Sequence, residues 1–157
     1  MKLSSLVKDG AIVPQLAAKE RDEVITELLD ALIASGAVDA GLREELIRCV
    51  LDRERKGSTG FGKGVAVPHV KHASIKEMNA AIGLSAGGVD FNALDKQPVY
   101  SVFLLLSPED KPEDHLHAME VIFKNLSKDT FRRFLRQATS EEEVRTLLVE
   151  ADEQQFG

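Results

Sequence analysis

The stretch VYSVFLLLSP at residues 99–108 is apolar at nearly every position through Leu106. A strand with one wet face alternates apolar and polar side chains, so a nearly unbroken apolar run demands cover on both faces. The run is broken at Tyr100 and Ser101 and is far too short to cross a bilayer. Val99–Leu106 therefore reads as a central, doubly buried strand. A chain built around it needs helices to lay over the sheet.

The flanking sequence supplies them. Over Ala18–Ser35, the residues Val24, Ile25, Leu28, Leu29, Leu32 and Ile33 recur at three- and four-residue spacing, and Gly36 marks the end. Asp39 is placed to cap a second helix with Leu42, Leu46, Ile47, Val50 and Leu51 on its buried side. That helix must stop before Gly57, because the glycine-dense segment beyond cannot extend it cheaply. Past Pro108, Asp114, Asp129 and the pair Ser140/Glu143 each precede an amphipathic segment, the last as a capping box. Val65–Val67 and Ala80–Ser85 read as further strands, with turns at Gly87-Gly88 and across Asn92–Pro98. Helices thus bracket a strand-rich middle, predicting an α/β layered domain. No repeat or composition break divides the 157 residues, so one domain is expected over 1–157, with its core at about 3–150.

Charge and cysteine use narrow the function classes. A net charge of −6 disfavours nonspecific contact with nucleic acid or anionic lipid. The N-terminal MKLSSLVKDG lacks the apolar core of a signal peptide, and the single Cys49 offers no disulfide framework. A protein of the reducing cytoplasm, without membrane insertion, is expected.

Residues 57–69, GSTGFGKGVAVPH, hold the densest chemistry. The spacing Gly57-x-x-x-x-Gly62-Lys63 approaches a nucleotide phosphate loop. However, Gly64 stands where a magnesium-binding hydroxyl is needed, and the segment follows a helix instead of opening one. Metal binding fares little better. The histidines form two close pairs, His69/His72 and His115/His117, but on a helix the rings of 115 and 117 diverge by about 200°. No paired-cysteine or HExxH spacing accompanies them. A third reading makes His69 a nucleophile that carries a phosphoryl group. Pro68 fixes the chain before it, Gly60, Gly62 and Gly64 allow close backbone approach, and Ser58 and Thr59 bring hydroxyls. Arg53 or Lys63 would bring positive charge. On these residues alone a structural histidine and a phosphoryl acceptor both stay open.

The longer pattern Arg53-Glu54-x-x-Gly57-Ser58-Thr59-Gly60-x-Gly62-x-Gly64-Val65-Ala66-Val67-Pro68-His69 resembles the active-site signature of phosphotransferase-system enzyme IIA domains. The resemblance is to the fructose–mannitol type, which includes nitrogen-regulatory enzyme IIA proteins. Asp90-Phe91-x-Ala93-x-Asp95-x-x-Pro98-Val99, Val102–Ser107 and His115-Leu116 agree with it in order, over roughly residues 3–150.

The resemblance implies a mixed β-sheet flanked by helices on both sides. It implies His69 as the phosphohistidine, Arg53 as its charge partner and His115 as a second active-site histidine. Ser58, Thr59, Gly60 and Gly62 would support the phosphoryl group. The donor would be phospho-HPr or its nitrogen-type counterpart, and the recipient a IIB protein or a regulated target. No cofactor and no metal are implied. A standalone carrier is expected, and the wording of the loop and its Arg53-Glu54 lead-in lies closer to the regulatory branch. The competing reading is a protein-binding module that keeps the fold with little phosphotransfer. Lys63 is read as a solvated rim charge, and Glu54 as a local partner of Arg53. Two features depart from the pattern or lack a place in it. Val70 stands where a small residue is usual and would crowd a partner, and His72 maps to no role.

Overall fold

The structure is a computed structural model, and it describes residues 1–153. A short helix α1 (Leu3–Leu6) leads into strand β1 (Val7–Val13). Helices α2 (Arg21–Ala34) and α3 (Arg43–Lys56) follow, the second entered through a 3-10 turn at Ala40–Leu42. Strands β2 (Gly60–Gly62), β3 (Val65–Ala66), β4 (His69–His72), β5 (Asn79–Val89) and β6 (Val99–Pro108) make the middle. Helices α4 (Pro112–Leu126), α5 (Asp129–Gln137) and α6 (Glu141–Asp152) complete the chain.

All the strands join one six-stranded mixed sheet in the order β1-β5-β6-β3-β2, with β4 also paired to β6. Strand β6 is the spine. It pairs antiparallel with β5 on one edge, and parallel with β3 and then β4 on the other. Its side chains alternate between two cores. Phe103 and Leu105 pack with Ala118, Ile122 and Phe131 beneath α4 and α5. Val102, Leu104 and Leu106 pack with Val24, Leu28 and Leu46 beneath α2 and α3. This two-sided burial is what the apolar run required.

Element boundaries shift where side chains compete for backbone groups. α2 starts at Arg21, not Ala18, because the Glu27 carboxylate takes the N–H groups of Ala17 and Ala18 outside the helix. Asp39 caps the 3-10 turn through the Gly41 N–H, so α3 proper begins at Arg43. Neither Asp114 nor Asp129 caps its helix. α4 opens at Pro112, whose missing N–H suits a first helical position, and Asp129 is itself the first residue of α5. Ser140 does cap α6, accepting from the Glu143 N–H at 3.1 Å, but Glu143 spends its carboxylate on Thr139. Gly87 and Gly88 are no turn between strands. They lie inside β5 at a register shift, where Gly88 has φ +86°.

Candidate active site

The end of α3 delivers the first group of site residues. Arg53 donates from a guanidinium nitrogen to the Gly57 carbonyl at 2.8 Å, which holds it over the end of the helix. Glu54, expected as its partner, instead turns inward and is 2% exposed. Its carboxylate accepts from the Thr59 N–H at 3.2 Å and from the Thr59 hydroxyl. A buried carboxylate with two donors from one residue pins the loop to the helix. Glu54→Ala leaves the N–H and hydroxyl of Thr59 without that acceptor. It is expected to cost about 2–3 kcal/mol in urea unfolding, while Glu54→Gln, which keeps one acceptor, costs less.

The loop then turns back as a hairpin. Lys63 and Gly64, at φ +62° and +78°, form a two-residue connection between β2 and β3 of the kind that needs positive φ at both positions. The glycines expected to support a phosphoryl group meet other neighbours. A Cβ at Gly60 would lie 2.9 Å from the Ala93 Cβ, and one at Gly62 would lie 3.3 Å from the Asp95 carboxylate. Their smallness admits the 90–98 segment. Ser58 donates its hydroxyl to the Phe91 carbonyl at 2.7 Å and accepts from the Gly60 N–H at 3.0 Å. Both loop hydroxyls are therefore engaged within the protein, holding the loop's shape.

β4 begins at His69, which pairs with Leu105 of β6. The ring Nδ1 lies 2.7 Å from the Val67 carbonyl. A carbonyl only accepts, so Nδ1 carries the proton and Nε2 of the neutral ring keeps its lone pair. Two residues beyond Leu105 on the same side of β6 is Ser107, fully buried, with its Oγ 2.7 Å from Nδ1 of His115. The hydroxyl has no other partner among the described residues. The arrangement that leaves no buried proton unbonded has Ser107 donating, so the His115 proton sits on Nε2. The two rings face each other with centroids 5.5 Å apart and planes 46° apart.

Electrostatics keeps both rings neutral near pH 7. Burial pushes the His69 pKa below its usual value, the Val67 bond opposes this, and Arg53 lowers it further. Burial likewise lowers His115 to about 4, with His69 and Lys71 adding to the effect. Between these values the unfolded chain binds protons that the folded chain refuses. Stability therefore falls as pH drops from about 6.5 to about 4. From pH 7 to pH 4.5 the His115 part amounts to about 2 kcal/mol, and it is expected to vanish from denaturation curves of H115Q.

His117, on the same helix, is exposed and points away from the pair. His72 gains a role. Its Nδ1 accepts from the Ser74 N–H at 3.0 Å, so Nε2 carries the proton, 3.3 Å from Glu45 of α3. It ties β4 to α3. Val70, neighbour to His69 on a strand, projects to the opposite face and packs with the α2–α3 core, so it does not crowd the rings. Glu54 and Ser107 were not singled out as site residues by sequence. Both are polar groups buried in otherwise apolar surroundings, and only burial distinguishes them from surface neighbours.

The family description "Phosphoenolpyruvate-dependent sugar phosphotransferase system, EIIA 2" matches residues 5–151. The chain belongs to this EIIA family. It is 36% identical over 132 residues to a nitrogen regulatory protein of Klebsiella oxytoca, covering 82% of this chain and 76% of that one. It is 32% identical to a fructose-specific EIIA component of Haloferax volcanii, covering 85% of each. It also spans 24% of the length of a Bacillus subtilis fructose-specific EIIABC component. The crystal structure of the nitrogen regulatory protein IIA-Ntr from Neisseria meningitidis superimposes with a TM-score of 0.83 at 30% identity, covering 92% of this chain and 97% of that one. Membership makes the chain a phosphotransferase-system component with a phosphoryl-carrier role in that system or in its nitrogen-type regulation. No helix among the described residues is long and apolar enough to cross a membrane.

Proposed function

We propose that this EIIA protein carries its phosphoryl group on Nε2 of His69. The observation that supports this most directly is the Nδ1–H to Val67 bond, which leaves the outward nitrogen as the nucleophile in a ring kept neutral by burial. The step is an exchange of like bonds. The Nε2 lone pair forms a new N–P bond while the N–P bond of a phosphohistidine donor breaks, its electron pair returning to the donor's imidazole. No proton moves, because the Nδ1 proton stays on the ring, donated in its hydrogen bond to the Val67 carbonyl. His115 presents its Nε2–H to a phosphoryl oxygen, and Arg53 and Lys71 supply the positive charge that acts on the rings.

The donor is phospho-HPr or its nitrogen-type counterpart. The recipient is a IIB protein, or the phosphorylation state itself governs binding to a regulated protein. The intact His69–His115 pair and the Ser107 support speak for transfer over a binding module that has lost it. Incubation with phosphoenolpyruvate, enzyme I and either HPr type should add one acid-labile phosphoryl group by intact mass. No gain from either donor sinks the proposal and leaves the binding module.

A further inference from the structure

Six of the nine arginines in this acidic chain are matched. Arg21, Arg43, Arg48, Arg55, Arg132 and Arg145 each lie within 4.0 Å of a carboxylate oxygen. Among the described residues, Arg53, Arg133 and Arg136 have no such partner. Arg53 belongs to the histidine site. The other two lie together in a groove elsewhere.

That groove, of about 480 Å³, runs between α5 and the tip of the β2–β3 hairpin and is lined by Lys63, Arg133 and Arg136. Arg133 and Arg136 stand one turn apart on an exposed face of α5, and Lys63 faces them from the hairpin. The Arg136 guanidinium sits over the Tyr100 ring, 3.7 Å from its centroid. Such a contact uses the flat face of the guanidinium and leaves its N–H edges for an anion, with less rotamer freedom to lose. Asp129 and Arg132 also line the groove, and they satisfy each other. Asp95 lies near the hairpin but spends its oxygens on the N–H groups of Lys63 and Gln97. The lysine at φ +62° occupies a position where glycine or asparagine would be cheaper, so the turn itself does not call for it.

The groove stands apart from the histidines. Gly64 accepts from the N–H groups of Tyr100 and Ser101, whereas His69 pairs with Leu105. Tyr100 and Leu105 are five steps apart along the strand, about 17 Å.

We infer that this groove is a second anion site, built for a small ligand carrying more than one phosphate charge. Like charges held this close in a chain of net charge −6 repel one another until an anion bridges them. Two guanidinium forks and an ammonium lining one groove from two elements have the chemistry to match phosphate oxygens. The concavity is of small-molecule size, which favours a compact phosphate compound over an acidic protein segment.

Inorganic pyrophosphate is the probe, titrated calorimetrically into the full chain at low salt, with a hexaglutamate peptide as the contrasting arm. Saturable pyrophosphate binding is expected, weakening as salt rises. R133Q/R136Q and K63A should each weaken it, the double variant by tenfold or more, and R53Q should retain it. Amide shifts on titration should centre on Lys63, Arg133 and Arg136. The inference is overturned by absence of binding, by preference for the glutamate peptide, or by binding that R53Q abolishes and R133Q/R136Q keeps. No phosphotransfer enters the measurement, so the outcome is independent of the role proposed for His69.

Discussion

H69A is expected to take no phosphoryl group from phospho-HPr of either type, while folding as the parent does. In the proposed role the ring contributes the nucleophile, and no other histidine is placed to replace it. Its neighbour His115 turns its Nδ1 into the Ser107 hydroxyl, and the remaining nitrogen carries the proton that makes it a donor. His72 is bound between Ser74 and Glu45, and His117 lies on the exposed side of α4. His69 is only half-buried, so its truncation removes one ring bond and little core, leaving stability within about 1 kcal/mol. Intact mass after incubation with phosphoenolpyruvate, enzyme I and HPr reads the first effect, and urea unfolding reads the second. Retained acid-labile phosphate in H69A would transfer the acceptor role to another residue.

H115A is expected to slow phosphoryl acceptance by about 10²–10³, the usual consequence of removing one preorganised donor to a charge that develops in the transition state. The donor is preorganised because Ser107, itself fully buried on β6, fixes the ring from behind. S107A should therefore give a smaller loss in the same direction, since the ring stays but its orientation and proton position are no longer enforced. Quench-flow transfer from phospho-HPr separates these effects from weaker partner binding, because the loss should persist at saturating donor. A loss confined to subsaturating donor would make His115 a docking residue instead.

The residues of the proposed site were easier to pick out from sequence than the form of the segment that carries them. His69, Arg53 and His115 were legible because their spacing belongs to a long pattern. The structure brings the two histidines face to face and keeps Arg53 at the end of α3 within electrostatic reach of His69. The glycine-rich stretch was read as a loop, and it is a hairpin running into a strand. Short strands such as Gly60–Gly62 and His69–His72 have no apolar alternation to reveal them, and the pairing of β4 with β6 comes from residues distant in sequence. Strand β1 escaped for the same reason, since Val7–Val13 holds a lysine, an aspartate and a glycine among its apolar residues.

Local pattern alone determined the layered fold: an apolar run too continuous for a half-wet strand, and helices whose periodicity gave them one face to bury. These are properties of neighbouring residues, so sequence displays them. Which polar groups are buried, and against what, was decided only in three dimensions. Glu54 leaves Arg53 for Thr59, Ser107 meets His115, and the loop hydroxyls turn inward, because a buried polar group must find whatever partner packing brings within reach. The same holds for the proton on His69. A carbonyl two residues back, held in place by the strand, decides which nitrogen keeps its lone pair.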